Sequence, residues 1–182
     1  MSSPRLEWIS TGGGPLLLLQ TDLLPQWEGA ELSERQIAAS SRWIPEGPAT
    51  DYDRACDVGE LGFVSVGSGQ GLVMGDEPLP TAWWPLPREG GGLFVRWVYA
   101  DDDAAVARAL ESVSTARFDA TGLVFPVRQS DLVLFDSAMP GYDIRTAHQT
   151  VVMWPGWYTV ESARMSPDPH TSVVLHRLRP AG

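Results

Sequence analysis

Residues 62–76 read as a strand, a glycine-rich turn and a strand, and the same layout returns at 122–136, sixty residues further on. At that offset Gly62 falls on Gly122, Val64 on Val124, Leu72 on Leu132, Val73 on Val133, Asp76 on Asp136 and Pro80 on Pro140. Another β-type run follows each copy, Leu93 to Tyr99 after the first, and Val151 to Met153 with Trp157 to Val160 after the second. Short apolar runs punctuated by Gly and Pro favour strands over helices. Repetition at a fixed offset suggests a duplicated supersecondary unit. The expectation is an α+β, mainly β fold, with antiparallel sheet or sheets built from two repeated β-meanders. Residues 1–182 read as a single domain with pseudo-repeat halves at roughly 60–100 and 120–160, a length suited to one core.

Other segments fill in the frame. Leu6, Trp8 and Ile9 precede Gly12-Gly13-Gly14-Pro15, and Leu16 to Leu19 follow, which reads as an N-terminal hairpin. A phosphate-cradling loop is excluded there, because no Gly-Lys-Ser/Thr follows and no long helix opens. Residues 20–50 read as a long loop or lid with a helical turn over Glu34 to Ser40. Asp51 is placed to cap a short helix near 51–58, ended by Gly59. Between the copies, Ala105, Val106, Ala109, Leu110 and Val113 recur at helical spacing behind Asp101-Asp102-Asp103, which predicts a helix over about 102–113. Ser172 to Leu178 make a final strand.

Charge narrows the function classes. The formal net charge is −10, with 23 acidic residues against 13 basic ones, all of them arginine. The lack of lysine reads as GC-rich coding in a bacterial genome rather than as function. Along the sequence, residues 1–111 hold 17 acids and 7 arginines, whereas residues 112–182 hold 6 of each. Such an acidic chain repels phosphate backbones, so nucleic acid is not an expected partner, and the same field speeds encounter with a basic protein. Solubility alone explains the charge as well. The longest apolar run, Leu16 to Leu19, is too short to span a bilayer, and no leader pattern opens the chain, so a cytoplasmic location and no membrane partner are expected.

No catalytic or metal-binding constellation emerges. The single cysteine, Cys56, lies among carboxylates that disfavour a thiolate, and reads as a small buried hydrophobe. His148, His170 and His176 fall in no ligand spacing, and Gly67-Ser68-Gly69 belongs to a hairpin turn rather than a nucleophile elbow. The carboxylates at Asp76-Glu77 and Asp101-Asp102-Asp103 are explained by strand alternation, capping and solvation. If they act, they suit the arginine or lysine side chains of a partner. Trp83-Trp84, bounded by prolines, places one indole in the core and one at the surface, or both in the core. The partner-binding candidates are therefore Asp76, Glu77, Trp83, Trp84, Asp101, Asp102 and Asp103. No catalytic residue, metal or cofactor is expected.

Four segments are similar to a known family. Trp-Ile-Ser-Thr-Gly-Gly-Gly-Pro at 8–15, Asp-Tyr-Asp-Arg-Ala-Cys at 51–56, Gly-Asp-Glu-Pro at 75–78 and Val-Arg-Trp-Val-Tyr-Ala at 95–100 resemble the bacterial Immunity protein 21 family. The resemblance implies a non-enzymatic cytoplasmic antitoxin of a polymorphic toxin system, one that binds and neutralises a protein toxin. A basic, nuclease-like toxin fits the acidic chain. A small-ligand-binding β domain, or an enzyme with a scattered active site, is the alternative, and it requires a deep pocket with convergent polar groups. The sequence sets no oligomeric state.

Overall fold

The computed structural model describes residues 6–31, 49–75, 77–144 and 147–182, and the helical turn expected at Glu34 to Ser40 lies outside them. Within these, ten strands form two five-stranded sheets, ordered β2-β3-β1-β7-β8 and β4-β5-β10-β9-β6. The strands are β1 (Leu16–Gln20), β2 (Leu61–Val66), β3 (Gly69–Met74), β4 (Thr81–Leu86), β5 (Gly91–Tyr99), β6 (Asp119–Val127), β7 (Asp131–Asp136), β8 (His148–Val152), β9 (Gly156–Asp168) and β10 (Thr171–Pro180). Two α-helices accompany them, α1 (Asp51–Cys56) and α2 (Asp103–Glu111). The mainly β, antiparallel α+β class expected from the sequence is the observed one.

The chain forms two compact units. One, here the neutral unit, comprises residues 1–9, 79–130 and 151–182, and the other, the acidic unit, comprises 10–78 and 131–150. Each of the stretches 60–100 and 120–160 therefore contributes to both units.

The first copy of the repeat pairs as expected. Strands β2 and β3 form a hairpin from Leu61↔Met74 to Val66↔Gly69. Its tight turn is led by Gly67 at φ +53, where a side chain would be strained. The second copy is not a hairpin. Strand β6 pairs with β9 and β7 pairs with β1, in different sheets. The connections differ: Arg128-Gln129-Ser130 holds no glycine, and among the described residues no non-glycine residue adopts positive φ.

The expected N-terminal hairpin is also replaced. Ile9 exchanges two backbone hydrogen bonds of 2.9 Å with Thr81, whereas β1 lies between β3 and β7. Leu16 to Leu19 are all at most 2 % exposed, so both faces of β1 are apolar and buried. A strand of that kind belongs in the middle of a covered sheet, not in an edge hairpin.

Each unit has its own core. In the neutral unit, Val106, Ala109 and Leu110 of α2 cluster with Leu93, Val95, Ala163, Met165, Val173 and Leu175 from β5, β9 and β10. In the acidic unit, Leu17, Leu19, Val73, Val133 and Phe135 cluster with Trp27 and with Ala55 of α1. Trp27, which follows a 3-10 helix at Thr21–Gln26, is fully buried and donates its indole N–H to the Ser137 carbonyl at 3.0 Å.

Both helices start on sequence-encoded caps. Thr50, rather than Asp51, caps α1, in a reciprocal capping box with Asp53. Asp51 instead turns inward, accepting from the Glu28 amide at 2.8 Å and pairing with Arg54 at 2.6 Å. Cys56 is exposed, not buried as expected, because α1 turns Ala55 towards the core.

Candidate functional site

The described candidate residues are divided between the two units. Asp76 lies outside the described residues. Glu77 is exposed and belongs to the acidic unit. The remaining candidates belong to the neutral unit. Trp83 on β4 is 8 % exposed, with its ring 4.7 Å from that of Phe94, so burial commits it to the core. Trp84 is partly buried against the core beneath α2.

The three consecutive aspartates at the start of α2 are exposed, and two of them have structural work. Asp102 accepts from the Ala105 amide at 2.8 Å, satisfying one of the free N–H groups at the helix start. Asp103 accepts from the Trp8 indole N–H at 3.0 Å, and Trp8 meets Trp97 edge-on at 5.1 Å. Asp101 remains as the exposed carboxylate next to them.

The net charge divides by unit. The acidic unit holds fourteen acids and four arginines, a balance of −10, and the neutral unit holds nine of each. The boundary is thus not residue 111, and Asp101 to Asp103 fall on the neutral side. Arg54 is the one arginine among the described residues of the acidic unit. It is already engaged: it pairs with Asp51, donates to the Ser65 carbonyl at 2.8 Å, and lies 5.9 Å from the centre of the Trp27 ring. Asp22, Glu31, Asp53, Asp57, Glu60, Glu77 and Asp131 are exposed on the same unit.

Hydrogen bonding adjusts two groups on this acidic surface. The backbone of Thr50, and then its side chain, hold the Asp53 carboxyl below the usual range. Tyr142 is 66 % exposed and donates its hydroxyl to Glu31 at 2.6 Å. That bond, then desolvation and the charges of Glu31, Asp143 and Glu28, raise its phenol above the ordinary value.

Sequence reasoning missed an aromatic site on the neutral unit. Around the β8–β9 turn, Val152, Trp154 and Trp157 are 63 %, 77 % and 62 % exposed. Ser130, Val152, Met153, Trp154 and Pro155 line an adjacent groove of about 240 Å³. The turn is held by its backbone. Met153 donates its amide to Ser130 O at 2.9 Å and Ala181 donates to Trp157 O at 2.8 Å. The Tyr158 hydroxyl lies 2.8 Å from the Trp154 carbonyl and 3.0 Å from that of Gly90. The available signal was Trp154-Pro155-Gly156-Trp157, a turn dipeptide between two tryptophans.

One buried polar pair lies on neighbouring strands of the same unit. His176 on β10 is 4 % exposed, with Nδ1 2.8 Å from the Ser162 hydroxyl on β9. Burial, and then the charge of the buried Arg96, lower its pKa to about 3. A neutral imidazole hydrogen-bonded to a serine resembles half of a nucleophilic dyad. Its Nε2 meets no hydrogen-bond partner among the described residues, so no third group orients it. Among the described residues, no group of three His, Cys, Asp or Glu is placed to hold a metal ion, and no helix is long and apolar enough to cross a membrane.

These features define a β protein with a charged unit and an exposed aromatic turn, the usual equipment of a protein-binding module. The model of Immunity protein 21 matches residues 7–171, nearly the whole chain, and the chain belongs to that family. No curated protein and no solved structure matches it.

Proposed function

We propose that this chain is the antitoxin of a bacterial polymorphic toxin system, acting in the cytoplasm, and that it neutralises a protein toxin by covering the toxin's active surface without catalysis of its own. Family membership supports the immunity role. The observation that carries the mechanism is the gathering of the full −10 charge into the acidic unit. A surface of that sign steers a basic partner into encounter and opposes nucleic acid. A basic, nuclease-like toxin is the partner it suits, since such a toxin binds phosphate where the antitoxin presents carboxylates.

The test uses a catalytically inactivated toxin encoded by the neighbouring reading frame, with association measured at low and at physiological salt. Neutralising Asp22, Asp57 and Glu60 (to Asn, Asn and Gln) slows association by about 10-fold at low salt and by less at high salt. Changing Asp101, Asp102 and Asp103 together to Asn keeps the α2 cap, because Asn caps as well as Asp. That triple variant reads the second acidic cluster. Loss of binding in the triple variant, with no effect of the first set, removes the acidic unit's charge from the interface. A toxin that is acidic, or a wild-type chain that fails to bind it, removes the electrostatic reading.

A further inference from the structure

We propose that the groove beside Trp154 seats one large uncharged apolar side chain, a leucine or phenylalanine, projecting from the surface of the toxin. The toxin as the occupant rests on the immunity reading, and the chemistry of the seat rests on the groove itself. Solitary exposed apolar residues are ordinary, but a cluster marks a binding surface. Here three of the most exposed large apolar side chains occur within six residues, Val152 to Trp157.

The lining selects the ligand. Val152, Met153, Trp154 and Pro155 carry no ionisable group, and the Ser130 carbonyl is already taken by the Met153 amide. A charged side chain entering there loses its water and gains no counter-charge. An apolar side chain displaces poorly held water and loses nothing. The groove, at about 240 Å³, has room for one such side chain. Because the carbonyls of Trp154 and Trp157 are tied down, little is lost in ordering the turn on binding.

A second copy of this chain is the less fitting occupant. At 77 % and 62 % exposure the two indoles leave roughly 300 Å² open, less than the ~800 Å² per partner of a stable interface, so any protein partner must cover surface beyond the turn. A second copy also brings a second unit of charge −10, whose repulsion a basic toxin lacks. The groove is thus an anchor within a larger interface to a different protein.

Two measurements on the full chain test this. The first needs no toxin: N-acetyl-phenylalanine amide is titrated while the indole N–H resonances are followed. It shifts the Trp154 resonance, and N-acetyl-arginine amide at the same concentration does not. The second measures affinity for the inactivated toxin with Trp154→Ala and Val152→Asp, both at exposed positions where thermal unfolding should be unchanged. Each weakens binding by about 30-fold, the scale of a hot-spot residue. Equal shifts from both amides, or none, overturn the groove's chemistry. Affinities within about 2-fold of wild type in both variants overturn its role at the interface while the immunity reading stands. Wild-type protein that binds the apolar amide but no toxin overturns the toxin as occupant and the immunity reading with it. A wild-type dimer that either variant dissociates assigns the groove to a second copy instead.

Discussion

His176 links one buried side chain to the acid stability of the fold. Its pKa is about 3 in the folded chain against 6.5 when solvated, so below pH 6.5 the unfolded chain takes up a proton that the folded chain refuses. Stability from this group is therefore complete above pH 6.5 and is lost as pH falls from there towards 3, at no more than ~1.4 kcal/mol per pH unit. Denaturant unfolding at pH 7 and pH 5 should show wild type losing stability over that interval relative to His176→Gln, which has nothing to protonate. Parallel losses in the two proteins would place the acid sensitivity elsewhere. The tryptophans show how far single residues were legible. Trp27, Trp83 and Trp154 look alike in sequence, yet they are 0 %, 8 % and 77 % exposed. Their neighbours give little warning, because exposure is decided by which strands meet and not by local composition. Trp27→Ala should cost about 3–5 kcal/mol in denaturant unfolding, whereas Trp154→Ala should leave the midpoint unchanged. A small effect at Trp27 would mean that the acidic unit refills that space.

Elements were legible where the signal was local. Helix α2 was expected over 102–113 and runs Asp103–Glu111, because its cap and its apolar spacing lie within one short window. The β2–β3 turn was equally local, since Gly67 supplies the conformation it needs. Strands β6 and β7 were misread as a hairpin because their partners, β9 and β1, are remote in sequence and no short motif names them. The β9–β10 hairpin, by contrast, is local, and a partly buried ion cluster ties its two strands together. Glu161 is 9 % exposed and accepts from Arg177 Nε at 2.7 Å and from Arg179 Nη2 at 2.9 Å, while Arg177 also lies over the Phe118 ring at 3.9 Å. Glu161→Gln leaves two arginines without their shared counter-charge. The expected cost is about 2 kcal/mol, below the usual penalty for breaking a buried pair because Arg179 is more than half exposed. Guanidinium unfolding alongside Glu111→Gln on the exposed end of α2 provides the comparison. Equal midpoints for the two variants would show that the pair contributes nothing.

At the scale of the molecule, the total charge was legible and its location was not. Counting along the chain draws a line at residue 111, whereas the two units draw it through 9, 78, 130 and 150. The candidate site shared that fate. Asp101 to Asp103 fall in the neutral unit, and the exposed Trp154 and Trp157 lie at the far end of the second pseudo-repeat half. The same interleaving bears on how the protein is made. Strand β10 is the middle strand of its sheet, between β5 and β9, and it follows its four sheet partners in the chain. Without residues 171–180, the pairs β4–β5 and β9–β6 have no strand to join them. The sheet therefore cannot close until residues 171–180 are made, which leaves the inner edges of β5 and β9 open to other strands in any shorter chain.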